Sequence, residues 1–126
     1  MDTRSKILTV ESAVALTPVR PLALAAGLFD ILRTDHARVL AGLRERAGGG
    51  SVMAVVLPDA RAVLSQRSRA ELVAALRVID YVVAASHAEF DRIAAALEPA
   101  AVLRLEDADR ARLQQLIAHV HSRQAR

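Results

Sequence analysis

The chain of 126 residues has no cysteine and no tryptophan, one tyrosine, two phenylalanines and a single lysine, Lys6. The missing cysteine excludes a disulfide framework, a thiolate nucleophile and a cysteine-type zinc site. With aromatics at 2%, the chain has no platform on which to stack bases, which argues against single-stranded nucleic acid as a partner. A core with so few rings is built from Ala, Val, Leu and Ile, which favours thin, close-packed layers of helix and sheet. No apolar run is long enough to span a bilayer, and residues 1–8 are polar and charged with no hydrophobic leader region. The expectations are no membrane contact and a cytoplasmic location. Neither a Ser-His-Asp arrangement nor a G-x-x-x-x-G-K-S/T loop is present.

What is there is a globular composition, 53% hydrophobic and 25% charged, of a size that suits one domain over residues 1–126. The net charge is +3, and arginine supplies nearly all the positive charge. Such an excess reads either as phosphate binding or as the codon bias of a GC-rich genome, which also explains the abundant alanine. The arginines are spread along the chain rather than clustered, so no nucleic-acid partner is expected.

Along the chain, helical and strand signals alternate. Thr9 is placed to cap a short helix over residues 9–16, which Pro18 and Pro21 end. Residues 22–26 form a short apolar run closed by Gly27, as in a buried first strand. Residues 36–46 read as a helix with Val39, Leu40 and Leu43 on one face, stopped by Gly48, Gly49 and Gly50. A second strand is expected at 52–57. Ser68 with Glu71 has the spacing of a capping box for a helix that buries Leu72, Val73, Leu76 and Ile79. A third strand follows at 81–85. Ser86 with Glu89 repeats the capping signature before Phe90, Ile93, Ala94 and Leu97, and a fourth strand is expected at 101–105. Asp107 is placed to cap a last helix carrying Leu113, Leu116, Ile117 and Val120, which either packs on the sheet or pairs a homodimer. Continuous apolar strands alternating with helices predict an α/β fold. The specific expectation is a Rossmann-like three-layer α/β/α sandwich with a parallel sheet of about four or five strands.

The segment with chemistry to offer is Gly27-Leu28-Phe29-Asp30-Ile31-Leu32-Arg33-Thr34-Asp35-His36, which joins the first strand to a helix. A glycine there lets a ligand approach the backbone, and a helix N-terminus presents free amides and the positive end of its dipole to phosphate. His36, in the first helical turn, is placed to hydrogen-bond a phosphate oxygen. Elsewhere the candidates are weaker. His119 and His121 lie two apart on a helix and face different ways, and His87 reads as exposed. The acidic group Glu106, Asp107 and Asp109 is explained by helix capping. No protein-held metal is expected.

The segment resembles the G-x-F-D-x-x-H-x-G-H signature of the cytidylyltransferase-like nucleotidyltransferases. A fuller similarity is to the adenylyltransferase domain of ADP-heptose synthases, through residues 6–13, 69–83 and 89–103. The resemblance implies an enzyme in which a sugar or alcohol phosphate attacks the α-phosphate of ATP or CTP, with Mg²⁺, and pyrophosphate leaves. Catalysis in such enzymes is positioning and charge stabilisation without a covalent intermediate. Carried over by position, Gly27, Leu28, Phe29 and Asp30 match the nucleotide and phosphate loop, and Arg69 matches a basic residue that opens a later helix. His36 matches the second motif histidine, while Arg33 stands in place of the first, so these two are the catalytic candidates.

The departures are as informative. Arg33 can clamp phosphate but cannot transfer a proton near neutral pH. Asp35 stands where the motif has glycine, adding a Cβ and a carboxylate. At about 4 Å and an effective dielectric near 20, each unit of like charge costs roughly 4 kcal/mol. Asp35 also suits an N-cap, so it is expected to cap its own helix and occupy the anion site itself. The basic loop after the second strand is missing, and Arg104-Leu105-Glu106-Asp107 replaces a Lys-Gly-Gly-Asp-type segment. Three functions follow as expectations: a weakened nucleotidyltransferase, a non-catalytic regulatory domain that binds a nucleotide or sugar phosphate, or a structural dimerisation module.

Overall fold

Two strands buried at every position set the architecture: β2 (Leu22–Gly27) and β3 (Ser51–Val56). Apart from Gly27 at the end of β2 and Ser51 at the start of β3, both are runs of Leu, Ala, Val and Met that suit a sheet covered on both faces. A computed structural model describes residues 2–29 and 34–106, with residues 34 and 35 described by their backbone alone. Around these two strands lie β1 (Ile7–Leu8), α1 (Val10–Val14), α2 (Thr34–Ala47), α3 (Gln66–Ala74), β4 (Tyr81–Ala84), α4 (His87–Leu97) and β5 (Ala101–Arg104). The five strands form one sheet in the order β1-β4-β3-β2-β5, and every pairing is parallel. The last predicted helix, with Asp107, Asp109, His119 and His121, lies outside the described residues.

The period-2 geometry of the strands sorts their side chains into two cores. Leu22, Leu24, Ala26, Met53 and Val55 pack with Ala13 of α1 and with Phe90, Ile93 and Leu97 of α4. Ala23, Ala25, Val52, Ala54 and Val56 pack with Leu40 and Leu43 of α2 and with Ala70, Val73 and Ala74 of α3. The result is a Rossmann-like α/β/α sandwich. The small strand residues keep its layers thin.

Several local expectations are corrected. The first strand in the chain is β1, a two-residue edge strand that pairs Ile7 with Val82 and Leu8 with Val83. The helix after β3 starts earlier than the Ser68–Glu71 spacing predicts. Ser65 is its N-cap, accepting from the Ser68 amide at 3.0 Å, while Glu71 pairs with Arg67 one turn apart. The inward face of α3 is therefore Arg69, Ala70, Val73 and Ala74, and Leu72 is turned out at 44% exposure. On α2 the inward stripe is His36, Leu40 and Leu43, at i, i+4 and i+7, which leaves Val39 at the edge and 36% exposed. Helix α2 begins at Thr34, so Asp35 is its second residue and not its cap. The Ser86–Glu89 capping box is formed as expected.

The lower rim of the sheet is closed by a polar tie that the sequence pattern did not suggest. The Asp80 carboxylate accepts from the Val52 amide at 2.9 Å, the Asp80 amide donates to the Val52 carbonyl, and Arg44 reaches the Gly50 carbonyl at 2.9 Å. Helix α2 ends in a Schellman motif. The Gly49 amide donates to the Arg44 carbonyl and the Gly48 amide to the Glu45 carbonyl, with Gly48 at φ 114°.

Candidate functional site

From β2 the chain builds outward to β3 and β4, then crosses back to lay β5 on the other side of β2. The order of strands thus reverses between β2 and β5. In open parallel sheets, ligands bind in the crevice beyond the carboxyl ends of the strands at such a reversal. The segment that leaves β2 at this point is the one singled out from the sequence.

Gly27 is the last residue of β2, and its carbonyl accepts from the Leu57 amide at 2.9 Å. The next two residues are buried on opposite faces of the sheet. Leu28 enters the core on the α4 side and Phe29 the core on the α2 side, at 2% and 0% exposure. Phe29 has φ 53°, a left-handed backbone that costs a non-glycine residue about 1–2 kcal/mol. Its ring lies 6.0 Å from the His36 ring, tilted by 50°. His36 sits in the first turn of α2 at 2% exposure. A buried imidazole at the start of a helix, held against a strained aromatic, is a fixed group rather than a surface side chain. Residues 30–33 lie outside the described residues, including Asp30 and Arg33.

Arg69 joins this turn to the neighbouring strand end. It is 2% exposed, and its Nη1 donates to the Leu28 and Leu57 carbonyls, both at 2.7 Å. Its Nε donates to the Leu64 carbonyl at 3.3 Å. The planar fork suits several acceptors at fixed angles. One helical turn earlier, Gln66 donates to the Val56 carbonyl at 2.9 Å and the Ala85 carbonyl at 3.3 Å. These two side chains of α3 pin the upper ends of β2, β3 and β4 together. The resemblance places Arg69 as a phosphate contact; what the fold shows is a buried guanidinium that sets the backbone of the turn. Gln66 was missed, although it precedes Arg69 by three residues and so shares the inward face of α3. A cleft of about 470 Å³ opens beside this rim, lined by Pro58, Asp59, Val63, Leu64, Ser65 and Arg69.

On the far side of the reversal, Arg104 places its guanidinium 4.7 Å over the Phe90 ring and donates from Nε to Glu106 Oε1 at 2.9 Å. Among the described residues, no group of three or more His, Cys, Asp or Glu side chains is placed to hold a metal ion, and no helix is long and apolar enough to cross a membrane. His87 is exposed at the start of α4. No protein-family model matches the chain, and no curated protein matches it significantly in sequence.

Proposed function

We propose that the turn after β2 is the phosphate seat of a nucleotidyltransferase-like protein that binds ATP or CTP, or a sugar phosphate, with transfer weakened or lost. The observation that carries this reading is Phe29, a fully buried non-glycine residue in the left-handed region at the strand-order reversal. Strain of this kind persists where the surroundings over-determine it, and it concentrates at functional turns. Two further features support the reading. His36 is buried in the first turn of α2, where the helix dipole favours an anion. Arg69 fixes the Leu28 carbonyl, so the backbone of the seat is preorganised. The resemblance to the G-x-F-D-x-x-H-x-G-H signature supplies the reaction class.

The same resemblance supplies the reason for weak transfer. Arg33 stays protonated near neutral pH and cannot act as a general acid or base, and Asp35 brings negative charge into the first turn of α2. Loss of one preorganised donor commonly costs on the order of 10² to 10³ in rate. Mg²⁺ enters as the companion of the nucleotide phosphates, which supply most of its ligands in such sites.

Calorimetric titration with ATP and CTP, with and without Mg²⁺, tests the proposal, beside an assay for pyrophosphate release in the presence of a sugar phosphate. The expected result is saturable binding with little or no turnover, and His36→Ala removes whatever turnover exists. Asp35→Gly should tighten binding at least about 10-fold, since it removes a like charge and a Cβ at the seat. If neither the parent chain nor Asp35→Gly binds either nucleotide, the fold serves a structural purpose and the proposal is wrong.

A further inference from the structure

The reversal between β2 and β5 carries an acceptor that the reading above leaves unused. The pairing of these strands runs to the edge of the crevice, where the Leu105 amide donates to the Ala26 carbonyl at 2.6 Å. Glu106 follows at once. Its Oε1 is taken by Arg104, which is itself fixed over Phe90 of α4. Its Oε2 is fully buried, and among the described residues no donor meets it. Buried carboxylate oxygens are hydrogen-bonded as a rule, so an orphan beside a ligand crevice asks for an occupant. Glu106 lies just past the C-terminal end of β5, at the strand-order reversal, its side chain retains 13% exposure, and the terminal torsion of a glutamate is broad, so its carboxylate has freedom to meet a ligand there.

We infer that Glu106 Oε2 accepts a hydrogen bond from an uncharged donor on the nucleoside part of a bound nucleotide, and so selects the ligand at the end away from its phosphates. The inference rests on the phosphate seat proposed above. Charge decides the class of donor. Arg104 already balances Glu106, so the pair offers little to a free cation, and its carboxylate repels phosphate. What remains is an O–H or N–H donor, which on a nucleoside is a ribose hydroxyl or a base amine. The use of a carboxylate beside a strand end to hold a ribose hydroxyl is a known solution in doubly wound sheets.

The test is calorimetry on the full chain with ATP, CTP, their 2′-deoxy and 3′-deoxy analogues, ITP and UTP as analogues without the amine, adenosine and cytidine, and inorganic tripolyphosphate. The parent chain is compared with Glu106→Leu and with Glu106→Gln, which keeps the shape should the leucine variant fail to fold. The expected result is a loss of about 10-fold in affinity for the one analogue lacking the donor. That discrimination shrinks in Glu106→Gln and vanishes in Glu106→Leu, while tripolyphosphate binds all three chains alike. The deoxy and the amine-free analogues separate ribose from base. Equal discrimination in parent and variants, or none in the parent while tripolyphosphate binds, overturns the role of Glu106 and leaves the phosphate seat standing. Glu106-dependent discrimination among adenosine, cytidine and the nucleotides without tripolyphosphate binding supports Glu106 and overturns the seat. Binding of none of these ligands overturns both.

Discussion

A guanidinium is costly to bury, and Arg69 is 2% exposed. What offsets the cost is geometry. One nitrogen faces two carbonyl oxygens at 2.7 Å, at the ends of two adjacent strands, where the parallel ladder stops and backbone acceptors lose their partners. Replacement by a residue of similar length without donors exposes that dependence. In Arg69→Met the Leu28 and Leu57 carbonyls both lose the guanidinium donor, and a buried acceptor deprived of its partner costs about 1–3 kcal/mol. The expected loss of stability is about 2–5 kcal/mol, read as a lower denaturant midpoint at unchanged slope. A loss below about 1 kcal/mol would mean that the turn holds its shape without the guanidinium. Such a residue is hard to read in advance, because an arginine in a helical pattern is by default solvated. The signal that was legible is its position in the resemblance; the signal that was not is its direction, which depends on where α3 begins.

At the scale of the element, two glycines near one helix have opposite duties. Gly42 lies within α2, and a Cβ built there meets no other atom within 4 Å. Gly50 precedes β3, and a Cβ there would sit inside van der Waals contact with the backbone of Pro21, whose carbonyl also accepts from the Ser51 amide at 3.0 Å. Gly42→Ala should therefore stabilise the fold by about 0.8–1.0 kcal/mol, the difference in helix propensity. Gly50→Ala should destabilise it by about 1–3 kcal/mol, since backbone must move to admit the methyl group. Thermal melts of the two variants check both signs, and a shift in the same direction for both would contradict the packing at Pro21. The boundaries of elements show where pattern reading stops. Ser86 and Glu89 stand alone and were read correctly. Ser65, Ser68 and Glu71 nest two capping signals three residues apart, and only the fold decides between them. β2 and β3 were legible because runs of five and six apolar residues, at 22–26 and 52–57, need two covered faces. β1 was not, since two residues carry no period.

The sheet as a whole is unevenly anchored. β2 and β3 are central and buried throughout, whereas β1 is an edge strand whose preceding turn is held by Lys6 donating to the Leu76 carbonyl at 3.2 Å. The segment continues into α1, which is tied across the molecule to α4. Arg92 meets Glu11 in a two-pronged pair at 2.8 and 2.9 Å, spanning 81 positions of sequence. Hydrogen bonding to Arg92, aided by its charge, holds the Glu11 carboxyl below the ordinary value of 4.5, and the same contact raises Arg92. A carboxyl depressed in the folded state contributes its stability above the ordinary value and loses it as pH falls through the lowered one. The arginine half of the pair is charged throughout the ordinary pH range, and the contact only raises it further. Both side chains are largely exposed, at 75% for Glu11 and 53% for Arg92, so the contribution is small and screened by salt. Melting curves of the parent chain and Glu11→Gln should differ slightly at pH 7 in low salt. The difference should shrink at about 1 M salt, where the Debye length is roughly 3 Å, and disappear as pH falls through the lowered Glu11 value. Because the pair braces the edge-strand segment, the same acid range should speed amide exchange in α1 and β1 before it touches β2 and β3. A difference between parent and variant that is constant down the whole acid range, or exchange that rises evenly across the sheet, would show that this tie does not govern the opening of the N-terminal segment.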